Sequence, residues 1–113
     1  MPIAQPWWVF GDVLIASERE LPGVYELGNA SGEVIYIGSS NNVARRLREH
    51  WVDVGNSCVK RYTTQYRVEY GANCLTRERE LYALHVQLHA KPPLCGSDLE
   101  AAPTPPAVSP RAQ

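Results

Sequence analysis

The chain has 113 residues, of which 44% are hydrophobic and 20% charged, and its formal net charge is −1. This length fits one domain with a single core, and no apolar run approaches the roughly 20 residues that a membrane span requires. The N-terminus lacks a basic stretch followed by a small-residue cleavage site, so we expect no signal peptide, no membrane partner and a cytoplasmic location.

The predicted elements begin with an N-terminal extension over residues 1–21. Within it, Gly11-Asp12 could close a tight hairpin between two apolar runs, or the segment could be one extended strand with a bulge. Strands are predicted over Val24–Leu27 and Val34–Gly38, which are joined by a polar loop rich in turn-forming residues. The second strand is continuously apolar, which is typical of burial on both faces.

The next segment predicts a helix, a loop and a strand. Asn41 or Asn42 is the candidate N-cap of a helix that ends near Trp51. Residues 52–61 have no clear periodicity and are predicted to form a loop. Alternating polar and apolar side chains predict a half-buried strand over Gln65–Tyr70.

Thr76 is the predicted N-cap of a second helix, which ends near His89 because Pro92 and Pro93 cannot continue it. Residues 101–113 contain four prolines and are expected to form a disordered tail. The order strand, strand, helix, strand, helix predicts an α/β sandwich of the α+β type. Its sheet should be small, three-stranded and mostly antiparallel, with flanking helices.

The three cysteines are odd in number and have no CxxC spacing. Cys58, Cys74 and Cys95 are therefore a poor match to a disulfide framework or a zinc site, and we expect reduced thiols in or near the core. His85 and His89 could share a metal ion with one cysteine, but structural zinc sites usually show more closely spaced ligand pairs.

Two tyrosines are predicted to lie on one face of the first hairpin. A symmetric register would place Tyr25 directly opposite Tyr36. The pair has two interpretations: an aromatic cross-strand contact that stabilises the sheet, or one wall of a functional site. Packing alone would explain the tyrosines without the helix that follows them.

That helix carries charged residues next to its apolar face. At 100° per residue, Val43, Leu47 and Trp51 fall on one side, and Arg46 and His50 lie at its edges. Charged side chains at such positions need a partner or a function. Either Arg46 reaches past the core to solvent and His50 is a hydrogen-bonded core histidine, or the two belong to a site.

Two glutamates flank the predicted core stripe of the last helix. The stripe consists of Leu81, Leu84 and Leu88, and it places Glu80 slightly closer to the core than Glu78. Both carboxylates could simply interact favourably with the helix dipole. Alternatively, one of them could bind Mg²⁺, which often takes one or two protein carboxylates and keeps several waters.

Positive charge is concentrated in the middle of the chain. Residues 1–40 hold one arginine against five acids, a net charge of −4, whereas residues 41–80 hold eight lysines or arginines against five acids, a net charge of +3. This distribution allows contacts with phosphate groups although the overall charge is mildly negative.

Together these residues resemble the GIY-YIG nuclease domain family. The resemblance rests on Gly23-Val24-Tyr25, Tyr36-Ile37-Gly38, the arginine and histidine that follow, and a glutamate on the next helix. It covers about residues 22–95, and the tripeptides and basic residues fall at the family's spacing. It implies a nuclease domain over residues 22–100, hydrolysis of DNA phosphodiester bonds, and one Mg²⁺ or Mn²⁺ ion.

The resemblance also implies roles for the site residues. Glu80 would be the metal ligand and Arg46 the phosphate contact. A tyrosine has an ordinary pKa of about 10, so it can act as the base only where cations lower that pKa; Tyr36 is slightly preferred. His50 would orient a tyrosine or water, or transfer a proton. The expected catalytic residues are Tyr25, Tyr36, Arg46, His50 and Glu80, and the expected substrate contacts are Gly38, Ser39, Arg45 and Lys60.

Cys95 is the clearest departure from the family pattern, which usually has an asparagine there. That asparagine helps to position active-site groups, so its replacement affects the expected rate more than the fold. A second hypothesis is therefore a catalytically weak or inactive module that binds nucleic acid or a protein partner. For the enzyme, DNA is the expected partner, and a homodimer or a targeting protein is a further possibility.

Overall fold

Four strands and four helices are formed by the part of the chain that the structure describes. The structure is a computed structural model and describes residues 2–52 and 57–98, so the predicted tail over residues 101–113 lies outside the described residues. The elements are β1 (Trp8–Val9), α1 (Asp12–Ala16), β2 (Gly23–Gly28), β3 (Val34–Ser40), α2 (Val43–Val52), α3 (Ser57–Tyr62), β4 (Gln65–Tyr70) and α4 (Cys74–His89). Among the described residues, no helix has the length and apolar character needed to cross a membrane.

The strands form one antiparallel sheet in the order β1-β4-β2-β3. The predicted antiparallel sheet with flanking helices is confirmed, but the N-terminal extension adds a fourth strand to the three that were expected. Trp8 pairs with Tyr66 and Val9 with Gln65. This pairing covers an edge of β4 that would otherwise present unpaired backbone groups.

The register of the hairpin between β2 and β3 differs from the symmetric prediction. Tyr25 pairs with Gly38, and Tyr36 pairs with Leu27. The two tyrosines are therefore diagonal neighbours rather than direct partners. Because the register is displaced by two residues, both side chains stay on the same face of the sheet.

The connection between the strands explains this displacement. The side chain of Asn29 accepts hydrogen bonds from the backbone N–H groups of Ser31 and Glu33, each at 3.0 Å, and Gly32 takes a left-handed conformation with φ of +82°. Beyond this turn the pairing shifts, so that Ile35 is an extra residue in β3. Sequence symmetry alone does not reveal such an insertion.

The segment after β1 is helical, in contrast to both predictions for it. Gly11-Asp12 neither closes a hairpin nor continues a strand: α1 begins at Asp12, and the N–H of Ile15 donates to the carbonyl of Gly11 at 3.0 Å. Ile15 is buried in the core. Burial of this side chain against α2 thus stabilises a turn of helix that the sequence pattern does not indicate.

Two further boundaries differ from prediction. The predicted loop over residues 52–61 contains most of α3, a short helix that buries Val59. The last helix begins at Cys74 with Asn73 as its N-cap, three residues before the predicted cap at Thr76, and it ends at His89 as expected.

The core has a layer on each face of the sheet. On one face, Val43 and Leu47 of α2 join a cluster that includes Tyr25. On the other face, Leu81 packs in a smaller cluster that includes Val24. Neighbouring residues of a strand point to opposite faces, so the sheet is covered on both sides, and the predicted α+β sandwich is confirmed.

The prediction of three reduced thiols is wrong for two of the cysteines. Cys58 and Cys95 form a disulfide with their Cα atoms 5.5 Å apart, and Cys74 is a free thiol. The two half-cystines are 37 residues apart in sequence. The sequence does not reveal that they are close in space, because this depends on α3, which brings Cys58 to the segment that follows α4.

Leu47 provides a direct test of the core. Leu47→Ala should lower the free energy of unfolding by about 2–5 kcal/mol, because a fully buried side chain leaves a cavity. Urea unfolding of the oxidised protein measures the change. The matched control is Leu88→Ala, at a leucine that is 68% exposed, which should change stability by less than about 0.5 kcal/mol. Equal losses at both positions would contradict this description of the core.

Candidate active site

The two predicted tyrosines meet on the face of the sheet that α2 covers. The rings of Tyr25 and Tyr36 are stacked, with centroids 6.3 Å apart and planes at 14°. Gly38, opposite Tyr25, permits this arrangement because any side chain there would collide with the Tyr25 hydroxyl. Gly38 thus contributes to the site because it has no side chain.

α2 directs a histidine and an arginine towards the tyrosines. The Nε2 atom of His50 lies 2.8 Å from the Tyr25 hydroxyl, and its ring packs edge-on against Tyr36 with centroids 4.9 Å apart. Arg46 lies one turn earlier on the same side. The predicted helical phase is confirmed, and so is the cap: Oδ1 of Asn42 accepts a hydrogen bond from the backbone N–H of Arg45 at 3.0 Å.

Asp98 joins these residues and was not predicted. Its Oδ1 accepts hydrogen bonds from the Tyr36 hydroxyl at 2.5 Å and from Nη2 of Arg46 at 2.9 Å. Its Oδ2 accepts from the Tyr25 hydroxyl at 2.9 Å and from the backbone N–H of Ser39 at 3.2 Å. We call these four donors the anion site. Asp98 follows the last predicted element, so no periodicity marks it as a site residue.

The hydrogen bonds around Tyr25 define the protonation of His50. Tyr25 has one hydroxyl proton, which it donates to Asp98. The short contact between this hydroxyl oxygen and Nε2 therefore makes Nε2 the donor. This hydrogen bond holds the Tyr25 hydroxyl against the His50 ring.

Burial and these hydrogen bonds shift several pKa values. Burial raises the pKa of Asp98, but the hydrogen bonds from Arg46 and Tyr36 outweigh it and hold that pKa below its usual value. Burial and the charge of Asp98 raise the pKa values of Tyr25 and Tyr36 above their usual value near 10. With the carboxylate in place, both tyrosines are therefore neutral donors at physiological pH.

Ser39 connects the anion site to a carboxylate on α4. Its backbone N–H bonds to Asp98, and its hydroxyl donates to Oε1 of Glu78 at 2.5 Å. Glu78 is only 1% exposed. A buried carboxylate next to an anion site suits a hard divalent cation, which prefers oxygen ligands.

The structure brings Glu78, rather than the predicted Glu80, to this site. The side chain of Glu80 is 61% exposed and pairs with an arginine on its own helix. The residues that α4 buries are Glu78, Leu81 and His85. Of the predicted core stripe, Leu81 is buried but Leu88 is exposed, so the buried face of α4 is rotated towards Glu78 and His85.

Two of the predicted substrate contacts lie outside the anion site. Arg45 is half exposed and interacts with Glu49 and Asn41 along the outer side of α2. Lys60 donates to the carbonyl of Trp51 at 2.6 Å and lies over its ring. Neither side chain has a described contact with the tyrosines or Asp98, whereas the predicted Gly38 and Ser39 border the site.

Comparison with known proteins identifies the family. The GIY-YIG catalytic domain matches residues 21–83, more than half of the chain. The matched range contains both tyrosine motifs, all of α2 and the turn of α4 that carries Glu78. The chain therefore belongs to the GIY-YIG family. Among the curated proteins, none matches the chain.

Solved structures of the GIY-YIG N-terminal endonuclease domain of UvrC from Thermotoga maritima are similar to this chain. The domain bound to magnesium, its catalytic cation, is 27% identical; the match covers 73% of this chain and 90% of that one, with a TM-score of 0.52. A Tyr-to-Phe point mutant bound to its catalytic divalent cation is 26% identical, with coverages of 74% and 91% and a TM-score of 0.53. Fold and family together define an enzyme of the nuclease class, as predicted.

The lowered pKa of Asp98 predicts a loss of stability in acid. The ionised carboxylate stabilises the folded protein above the ordinary Asp pKa of 3.8, and this contribution disappears as the pH falls through the lower pKa of the folded state. The stability advantage of wild type over Asp98→Asn should therefore shrink below about pH 4. Urea titrations across this range measure it, with Asp12→Asn at an exposed position of α1 as the matched control. An advantage that stays constant with pH would contradict the lowered pKa.

Proposed function

We propose that the protein is a DNA endonuclease that hydrolyses a phosphodiester bond with the help of one divalent metal ion. The observation that supports this most strongly is the anion site next to buried Glu78. Four converging donors, one of them a guanidinium, suit the non-bridging oxygens of a phosphodiester, whose negative charge increases in the transition state. Arg46 is the proposed phosphate contact, since its planar group can donate two hydrogen bonds to one phosphate.

Tyr36 is the better candidate for the base that takes a proton from water. The Tyr25 hydroxyl is fully enclosed and is fixed by His50, which suits an orienting role. Burial and Asp98 raise the pKa of Tyr36, whereas the charge of Arg46 lowers it. Without a carboxylate in the anion site, one cause of this rise would be gone and burial alone would oppose Arg46, so the tyrosinate form that can act as a base would be less disfavoured.

Glu78 is the proposed ligand of Mg²⁺ or Mn²⁺, in place of Glu80. The described residues contain no group of three His, Cys, Asp or Glu side chains that could hold a metal. A single carboxylate nevertheless fits Mg²⁺, which keeps several waters and binds substrate phosphates. When bound, the ion would neutralise charge on the phosphate oxygens. The Ser39 hydroxyl donates to Oε1 of Glu78 and so orients the carboxylate.

One such site would cut one strand, so the expected product is a nick. A double-strand cut would require two copies, and a homodimer or a targeting partner remains a proposal. Arg45 and Lys60 remain proposed contacts to the DNA backbone away from the cleaved bond.

Nicking of supercoiled plasmid tests the proposal. Wild type should convert supercoiled to open-circular DNA with Mg²⁺ or Mn²⁺ but not with EDTA. The assay is run with and without a dithiol, because the Cys58–Cys95 bond can be reduced. Glu78→Gln keeps the side-chain shape but removes the charge that holds the cation, so the nicking rate should fall by at least about 100-fold. Glu80→Gln, on the same helix, should retain activity. The opposite ranking would contradict the metal assignment.

Arg46 and Arg45 provide a second matched pair in the same assay. Arg46→Ala should also reduce nicking by at least about 100-fold, whereas Arg45→Ala should change it only a few-fold. Nicking that survives Arg46→Ala would contradict the proposal. Salt-sensitive DNA binding without cleavage under any condition would instead support a non-catalytic module.

A further inference from the structure

The anion site is already filled by a group of the chain itself. Both oxygens of Asp98 accept two hydrogen bonds each, and the donors are the hydroxyls of Tyr25 and Tyr36, the Arg46 guanidinium and the Ser39 N–H. A carboxylate resembles a phosphodiester in having two oxygens that share one negative charge. Asp98 and a substrate phosphate would therefore compete for the same donors.

The segment that ends at Asp98 is held at the edge of the sheet. The N–H of Cys95 donates to the carbonyl of Ile35 at 2.7 Å, and Ser97 forms a parallel bridge with Ile37. We call residues 93–98 the closing segment. It lies next to β3, and Asp98 at its end reaches the four donors of the anion site.

The disulfide ties the closing segment to a second element. Cys95 is bonded to Cys58 of α3, whereas the backbone hydrogen bonds of Cys95 and Gly96 to residues outside the segment go to Ile35 and Ile37 of β3. A covalent tether keeps the local concentration of a competing group high even when its hydrogen bonds break. Cys95 thus anchors the segment that carries the residue filling the site.

We propose that the closing segment is autoinhibitory: Asp98 occupies the position of the substrate phosphate, and the Cys58–Cys95 disulfide keeps it there until a dithiol reduces it. This inference rests on the proposed function. In the reduction, a thiolate of the dithiol attacks the Cys58–Cys95 bond and forms a mixed disulfide. Its second thiol then displaces the remaining cysteine. Two cysteine thiols and one oxidised dithiol result, so two electrons and two protons pass to the protein.

A positioning role for Asp98 is the competing interpretation, and the contacts favour inhibition. A positioning residue would leave the reactive groups able to meet the substrate. Asp98 instead pairs with the guanidinium proposed to bind phosphate and with both tyrosine hydroxyls. Its charge also stabilises the neutral form of Tyr36, which opposes the function of a base.

DNA binding without cleavage tests the inference independently of activity. A fluorescein-labelled duplex is titrated in EDTA, with anisotropy as the readout and circular dichroism as the check of folding. Asp98→Ala should bind at least about tenfold more tightly than the oxidised wild type, because removal of the competing carboxylate makes every molecule competent to bind. Asp12→Asn should match wild type, and Arg46→Ala added to Asp98→Ala should remove the gain.

Loss of the Cys58–Cys95 disulfide tests whether this bond keeps Asp98 in the anion site. Cys58→Ser, or dithiothreitol added to wild type, should increase both affinity and metal-dependent nicking, whereas Cys74→Ser should not. If no protein nicks but Asp98→Ala still binds DNA more tightly through Arg46, the proposed function fails and the inference stands. If wild type nicks and neither Asp98→Ala nor reduction raises binding or nicking, the inference is wrong and the function stands. Loss of nicking in folded Asp98→Ala would make Asp98 a positioning residue and overturn the inference.

Discussion

Convergence of partly buried hydrogen-bond donors on one point is the constraint on which the site depends. Two tyrosine hydroxyls, a guanidinium and a backbone N–H face the same space, and donors removed from water need acceptors. A cluster with no acceptor would destabilise the fold, and an anion satisfies all four donors at once. In this structure the anion is the carboxylate of Asp98; in catalysis we assign that place to a phosphate. The same donors would then stabilise the resting protein and, under the proposed function, bind the substrate.

The architecture keeps these donors in place. β2 and β3 are paired along their length, α2 is anchored by Val43 and Leu47, and Gly38 leaves room for the Tyr25 hydroxyl. The rigid part of the site is therefore built from the sheet and α2. The acceptor comes from a segment held by a few backbone bonds and one disulfide. Fixed donors with an exchangeable acceptor suit an enzyme. Its site must be stable without substrate, and it must also admit the substrate.

Much of the site could be predicted because it lies on regular elements. Alternation along β2 and β3 placed the tyrosines on one face, and helical phase separated Arg46 from Arg45. Features that depend on tertiary contacts could not be predicted. The inserted residue Ile35 shifts the register of the hairpin. The predicted apolar stripe of α4 includes Leu88, which is exposed, and it excludes Glu78, which is buried. Asp98 and the Cys58–Cys95 bond depend on where an irregular segment folds back onto β3, and no local pattern encodes that path.

A crystal structure of the reduced protein with a short DNA duplex and Ca²⁺, which allows binding without rapid cleavage, tests the central claim most directly. We predict that a phosphate of the DNA occupies the anion site within hydrogen-bond distance of Arg46 and Tyr36, with the cation bound to Glu78 and with Asp98 displaced. DNA bound elsewhere while Asp98 keeps its four hydrogen bonds would contradict the claim that one set of donors serves both anions.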